Sequence, residues 1–249
     1  MTPAFILATV AMVIYCLWVR RDTWWSRWEA GATFAIAMEG LALLLLTPWA
    51  GTELGPTLYE LLGRWNAQQV LGLLCLLAGV IGNIYHMLVR LTDPAHVWPI
   101  MRKHLLVPVG LSVAVMLVAF FNTDRGSEPD LFATLAGDRW VTTFEVTCSA
   151  VLLYLTGYVA RLMLSLRHDQ RARTTLLLYL AAMTFAVAAC LAGIISIVIG
   201  RDAGPAIWAC VCLSVSIFAY GLARSWQAKR AWFTPNTSTP RTDRQSGRS

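Results

Sequence analysis

Residues 68–89 read QQVLGLLCLLAGVIGNIYHMLV, an apolar run without one charged side chain. Roughly 20 such residues, rising about 1.5 Å each, carry an α-helix across the hydrocarbon of a bilayer. The run is continuously apolar and lacks the alternation a membrane β-strand needs. Gly72, Cys75, Gly79, Gly82 or Asn83, and His86 recur every three to four positions, so they share one helical face. Small residues on such a face let a second backbone approach closely. The stretch is therefore predicted to be a membrane span that packs tightly against a neighbour.

Similar runs flank it on both sides. They cover residues 3–19 and 31–50 before it, and 105–121, 141–166, 175–199 and 205–223 after it. The first lacks the positive leader of a signal peptide, its arginines Arg20 and Arg21 coming after the run, and it reads as a span. Seven spans use most of the chain. Composition agrees: 57% of residues are hydrophobic and 14% charged, against roughly 45–50% and 25% in soluble domains. A soluble fold must cover its surface with polar groups, so lipid is the solvent here. The predicted fold class is all-α, a polytopic membrane helix bundle over residues 1–226, followed by a basic, largely disordered tail at 227–249.

Basic residues set the expected orientation. Arg64, Arg125, Arg139 and Arg201 fall in the even-numbered connections. The other sixteen of the twenty Lys and Arg residues fall in the odd-numbered connections, span ends and tail. The N-terminus is thus expected outside and the C-terminus in the cytoplasm, in the plasma membrane. The same distribution places the positive charge against an anionic leaflet, so nucleic acid is not an expected partner. Trp49, Trp65, Trp140 and Trp208 are read as headgroup anchors at outer span ends. Short interfacial helices are expected at residues 58–65 and 131–136.

Ionisable groups inside a span are costly and need a reason. Glu39 lies within the second run, about 12 Å from its inner end at the helical rise. Asn83 and His86 stand toward the same end of the third run, and Tyr158 descends the fifth. A polar cluster of Glu39, Asn83, His86 and Tyr158 is therefore predicted in the inner half of the bundle. Interhelical hydrogen bonding alone and a solute or proton site both account for such a cluster.

Several chemistries find no residues. The only lysines are Lys103 and Lys229, neither mid-membrane, which excludes a retinal Schiff base. His86, His96, His104 and His168 match no zinc-ligand spacing. The six cysteines all lie in apolar runs and read as small apolar filler. No catalytic, cofactor or metal residues are assigned, and no cofactor is expected.

Short motifs join the spans in a characteristic order. Leu61-Leu62-Gly63-Arg64 precedes the third run and Leu91-Thr92-Asp93-Pro94 follows it; Arg102-Lys103-His104 leads into the fourth. Asp130-Leu131-Phe132 and then Ala136-Gly137-Asp138-Arg139-Trp140 open the fifth. This order resembles an actinobacterial family of seven-helix integral membrane proteins of uncharacterised function. The resemblance covers about residues 5–225. Longer members of that family carry a cytoplasmic domain after the last span, which this chain is expected to lack, so any output has to pass through a membrane or cytoplasmic protein partner. The expectation is a non-enzymatic sensor, regulatory or accessory membrane module, with a small-solute or proton-linked transporter using Glu39 as the alternative.

Overall fold

The computed structural model describes residues 2–26, 28–123, 126–128, 130, 138–168, 170 and 173–233, and among these it is all helical. Helix α1 runs Thr2–Val19, α2 Ala30–Leu46, α3 Pro48–Leu62, α4 Ala67–Leu91, α5 Pro94–Met101 and α6 Val107–Asn122. Helices α7 (Arg139–Ser165), α8 (Arg173–Ile199) and α9 (Gly204–Phe233) complete the order. Among the described residues, five helical stretches are long and apolar enough to cross a membrane: α4, the continuous α5–α6 segment, α7, α8 and α9. The bent α2–α3 pair adds a sixth if taken as one span, and α1 is a shorter apolar helix. The chain is a multi-pass helical membrane protein.

The second predicted run does not continue to residue 50. Thr47 precedes Pro48, whose ring disfavours helical backbone on the residue before it, and Thr47 is extended at φ −65°, ψ 147°. Its Oγ1 then accepts the Ala50 N–H at 3.2 Å and caps a new helix, with Pro48 in the first turn. The axes of α2 and α3 differ by 80°. Helix α3 contains the start of the interfacial helix expected at residues 58–65, and it stops at Gly63, where φ is +66°. The helix expected at residues 131–136 lies outside the described residues, as does the tail from residue 234.

The fourth run begins earlier than expected, at Pro94, and a π turn at Arg102–Leu106 joins α5 to α6. Pro108 explains the turn. It has no N–H for the His104 carbonyl, and its ring crowds that carbonyl. The wider turn lets Val107 donate to the Arg102 carbonyl instead. The Tyr154 hydroxyl on α7 donates to the His104 carbonyl at 2.6 Å. Removing that donor is expected to cost about 1 kcal/mol. Tyr154→Phe should therefore melt a few degrees below the parent at unchanged helicity, and an identical melting curve would refute this account.

The last helix also exceeds its predicted end at residue 223. Residues 224–233 continue it, correcting the disorder expected from residue 227. Ala228, Lys229, Arg230 and Ala231 are good helix formers, and a tertiary contact described below holds this turn in place.

The small-residue face of α4 packs along α2. A Cβ added at Gly79 would lie 3.0 Å from both the Ala35 carbonyl oxygen and the Glu39 Cγ. One added at Gly82 would meet the Phe34 ring at 2.9 Å, and one at Gly72 would meet Leu46 at 2.9 Å. Helix α9 packs on α1 and α8, while α7 lies against α6 and α8. Tyr179 of α8 fills the slot over Gly221 of α9, where a Cβ would meet its ring at 2.9 Å.

Polar contacts gather the helix ends into two groups. At one, the α3–α4 turn grips the segment after α6. Arg64 donates to the Thr123 carbonyl at 3.2 Å, and Gln69 to the Glu128 carbonyl at 2.6 Å. Trp208 belongs to this end but is buried, donating its indole N–H to Asp130 at 3.1 Å. It anchors protein to protein there, in place of the headgroup contact expected of it.

Candidate functional site: a buried ion cluster at one end of the bundle

Glu29 sits just before α2, and its carboxylate is buried, with 8% of the side chain exposed. Three cations from three other segments converge on it. Arg20, at the end of α1, donates to Oε2 at 2.9 Å. Lys229 of α9 donates to Oε1 at 2.7 Å, and Arg90 of α4 makes a short contact to the same oxygen. Burial disfavours the Glu29 charge. It is outweighed by the Lys229 hydrogen bond, the Arg90 and Lys229 charges and the Arg20 hydrogen bond, which hold the carboxyl down to about 2.

Arg20 is the innermost member, with 2% of its side chain exposed. Nε donates to Thr33 Oγ1 at 3.1 Å, one terminal nitrogen to the Leu222 carbonyl at 3.4 Å, and the other to the Glu29 carbonyl at 3.3 Å as well as its carboxylate. Thr23 and Thr33 hydroxyls bond at 2.5 Å behind it. The guanidinium also lies 5.9 Å from the Trp226 ring centroid. One fully enclosed arginine thus fastens α1, α2 and α9 together, and Arg90 adds α4.

The cluster lines a cavity of about 340 Å³, whose wall includes His86, Met163, Leu166, Thr175 and Tyr179. A second cavity, of about 140 Å³, lies deeper in the bundle and is lined by Glu39, Asn83, Thr156, Ser214 and Tyr179. Tyr179 borders both. Among the described residues, no cation or hydrogen-bond donor reaches the Glu39 carboxyl, and the buried Asn83 Oδ1 has no partner.

The four residues of the predicted cluster therefore part company. Glu39 and Asn83 share the deep cavity. His86, one turn along α4 from Asn83, opens into the outer one, beside Gly31 and Arg90. Tyr158 is half-buried against the apolar core and borders neither. Sequence reasoning missed Glu29 and treated Arg20 and Arg90 as loop charges. A signal existed: Glu29 is a lone acid abutting an apolar run, nine residues after an arginine that ends the previous one. The six cysteines are free, and no group of three or more His, Cys, Asp or Glu side chains among the described residues could hold a metal ion.

Fold and site together define a polytopic helical membrane protein with a clamped polar pocket at one end. Set against protein-family models, curated proteins and solved structures, the chain matches none.

Proposed function

We propose that this protein is a non-enzymatic regulatory or sensory module of the plasma membrane that acts through a protein partner. The chain crosses seven times, with its N-terminus outside and its basic end in the cytoplasm. The basic bias of the odd-numbered connections supports that orientation. So does the meeting of the first connection, the end of α4 and the end of α9 in one cluster.

The observation that carries the reading is the clamp on α9. Lys229 ties the end of the last helix to a carboxylate that two other segments also address, through Arg20 and Arg90. Anything that changes the charge balance at Glu29 changes how that end is held, and a partner docked there feels the change. Crosslinking in native membranes, then mass spectrometry of the tagged protein, should recover a stoichiometric partner whose crosslinks map to the α9 end. Lys229→Ala should reduce that yield several-fold. A clean monomer or homo-oligomer in both proteins would refute the reading.

A second reading, a small-solute or proton-linked transporter, draws support from the unpaired Glu39 in its cavity. The same preparation distinguishes it: flux into vesicles that disappears in Glu39→Gln belongs to a transporter and not to a module of the first kind.

A further inference from the structure

We infer that the cavity bounded by Arg20, Glu29, Arg90 and Lys229 is a binding site for a phosphate-bearing anion. The charge count points there. Three cations face one carboxylate, which leaves a formal surplus of two positive charges around one half-open cavity. Like charges held together around a partly desolvated cavity repel one another, and an anion that joins them relieves that repulsion.

Donor capacity points the same way. Arg90 and Lys229 both address a single oxygen, Glu29 Oε1. A guanidinium has five N–H donors and an ammonium three, so both cations retain donors after that contact. Their side chains are 37% and 27% exposed, against 2% for Arg20. Arg20 holds the frame, and the other two are accessible to a ligand. A guanidinium fork matches two phosphate oxygens at once, and a neighbouring ammonium adds a point charge to the same group.

Size and setting narrow the class. About 340 Å³ lies at the low end of ligand pockets, enough for a phosphate ester with a small substituent. Thr175 and Ser225 offer hydroxyls, and Met163, Leu166 and Leu176 form an apolar flank. The site stands at the ends of apolar helices. The shared chemistry is the phosphate ester, whether from a phosphoglyceride headgroup or from a soluble phosphate.

The inference rests on the proposed module only in treating this pocket as its input; binding itself is read without a partner. The full chain, purified in uncharged detergent, is offered phosphatidylglycerol or phosphatidylcholine and examined by native mass spectrometry. Melting is then followed in inorganic phosphate against chloride at equal ionic strength. Selective retention of phosphatidylglycerol alone supports the inference with a headgroup as the source. A phosphate-dependent rise in melting temperature supports it with a soluble source. In either case Arg90→Gln or Lys229→Gln should weaken binding about tenfold, the loss of one charge-assisted contact. Two different variants guard against a folding defect in one. Neither probe binding, or binding undiminished in folded variants, overturns the inference. Failure here leaves the crosslinking result standing, and failure to find a partner leaves this measurement unaffected.

Discussion

Glu29→Ala should destabilise the protein by about 3–5 kcal/mol, the usual cost of removing one partner from a buried ion cluster. The cause is less the lost contacts than the charges left behind. Arg20 is enclosed and cannot turn to water, while Arg90 and Lys229 would repel it and each other across the cavity. Thermal melting in detergent measures the effect, and a loss under about 1 kcal/mol would show that water already screens the cluster.

The same carboxyl sets a pH dependence. Its value in the folded protein is about 2, below the ordinary 4.5. A depressed carboxyl contributes stability that is complete above the unfolded value and is lost as pH falls toward the folded one. Melting temperature should therefore be unaffected by this group above about 4.5 and decline between 4.5 and 2. In Glu29→Ala the part of that decline due to this residue should vanish, and a parallel decline in both proteins would assign it to other groups.

Gly79→Leu carries the second large effect. Its Cβ alone would press on the Ala35 carbonyl oxygen, a backbone atom with no rotamer in which to retreat. Helices α2 and α4 would have to separate along their main contact, and overpacking of this kind costs about 1–3 kcal/mol. The displacement reaches Glu39, whose Cγ lies at the same 3.0 Å. Gly110 of α6 provides the control, since a Cβ there has nothing within 4 Å. Gly110→Ala should leave the melting temperature unlowered while Gly79→Leu drops it by several degrees. Equal behaviour of the two variants would remove close α2–α4 packing as the reason for the glycine.

Why some of this was legible in the sequence follows from the range of the forces involved. The glycine face of α4 is a local periodicity, and close packing in lipid admits few alternatives to small residues, so its role was readable before its partner was known. The spans of α7 and α8 stand out because charged residues bracket them. The break at Thr47-Pro48 was also local, but the apolar residues on either side masked the rule that a residue before proline leaves the helix. The π turn at Arg102–Leu106 needed both Pro108 and a hydroxyl from Tyr154, 46 positions further on than Pro108, and so was only half visible. The predicted cluster grouped residues by depth. Asn83 and His86 do share a face of α4, but one helical turn is enough to place them in different cavities, and Tyr158 packs against the apolar core instead. Glu29 was marked only by its place against an apolar run; its partners come from α1, α4 and α9, the last of them 200 residues away, and no local pattern joins them.

The bend at Thr47 also leaves the bundle with walls of unequal height. Helices α1 and α2 have 18 and 17 residues, about 25–27 Å at the helical rise, whereas α7 and α8 have 27 residues each, about 40 Å. A bilayer about 30 Å thick suits neither group without adjustment. The longer helices meet it by tilting or by extending into the headgroup zone, and the shorter pair by drawing the lipid thinner or by snorkelling of flanking side chains. The shorter side is where Arg20 and Glu29 stand, between α1 and α2, so acyl-chain length and sterol content would press on the ion cluster mechanically. Through this feature the membrane itself becomes a variable to which the clamp on α9 can respond.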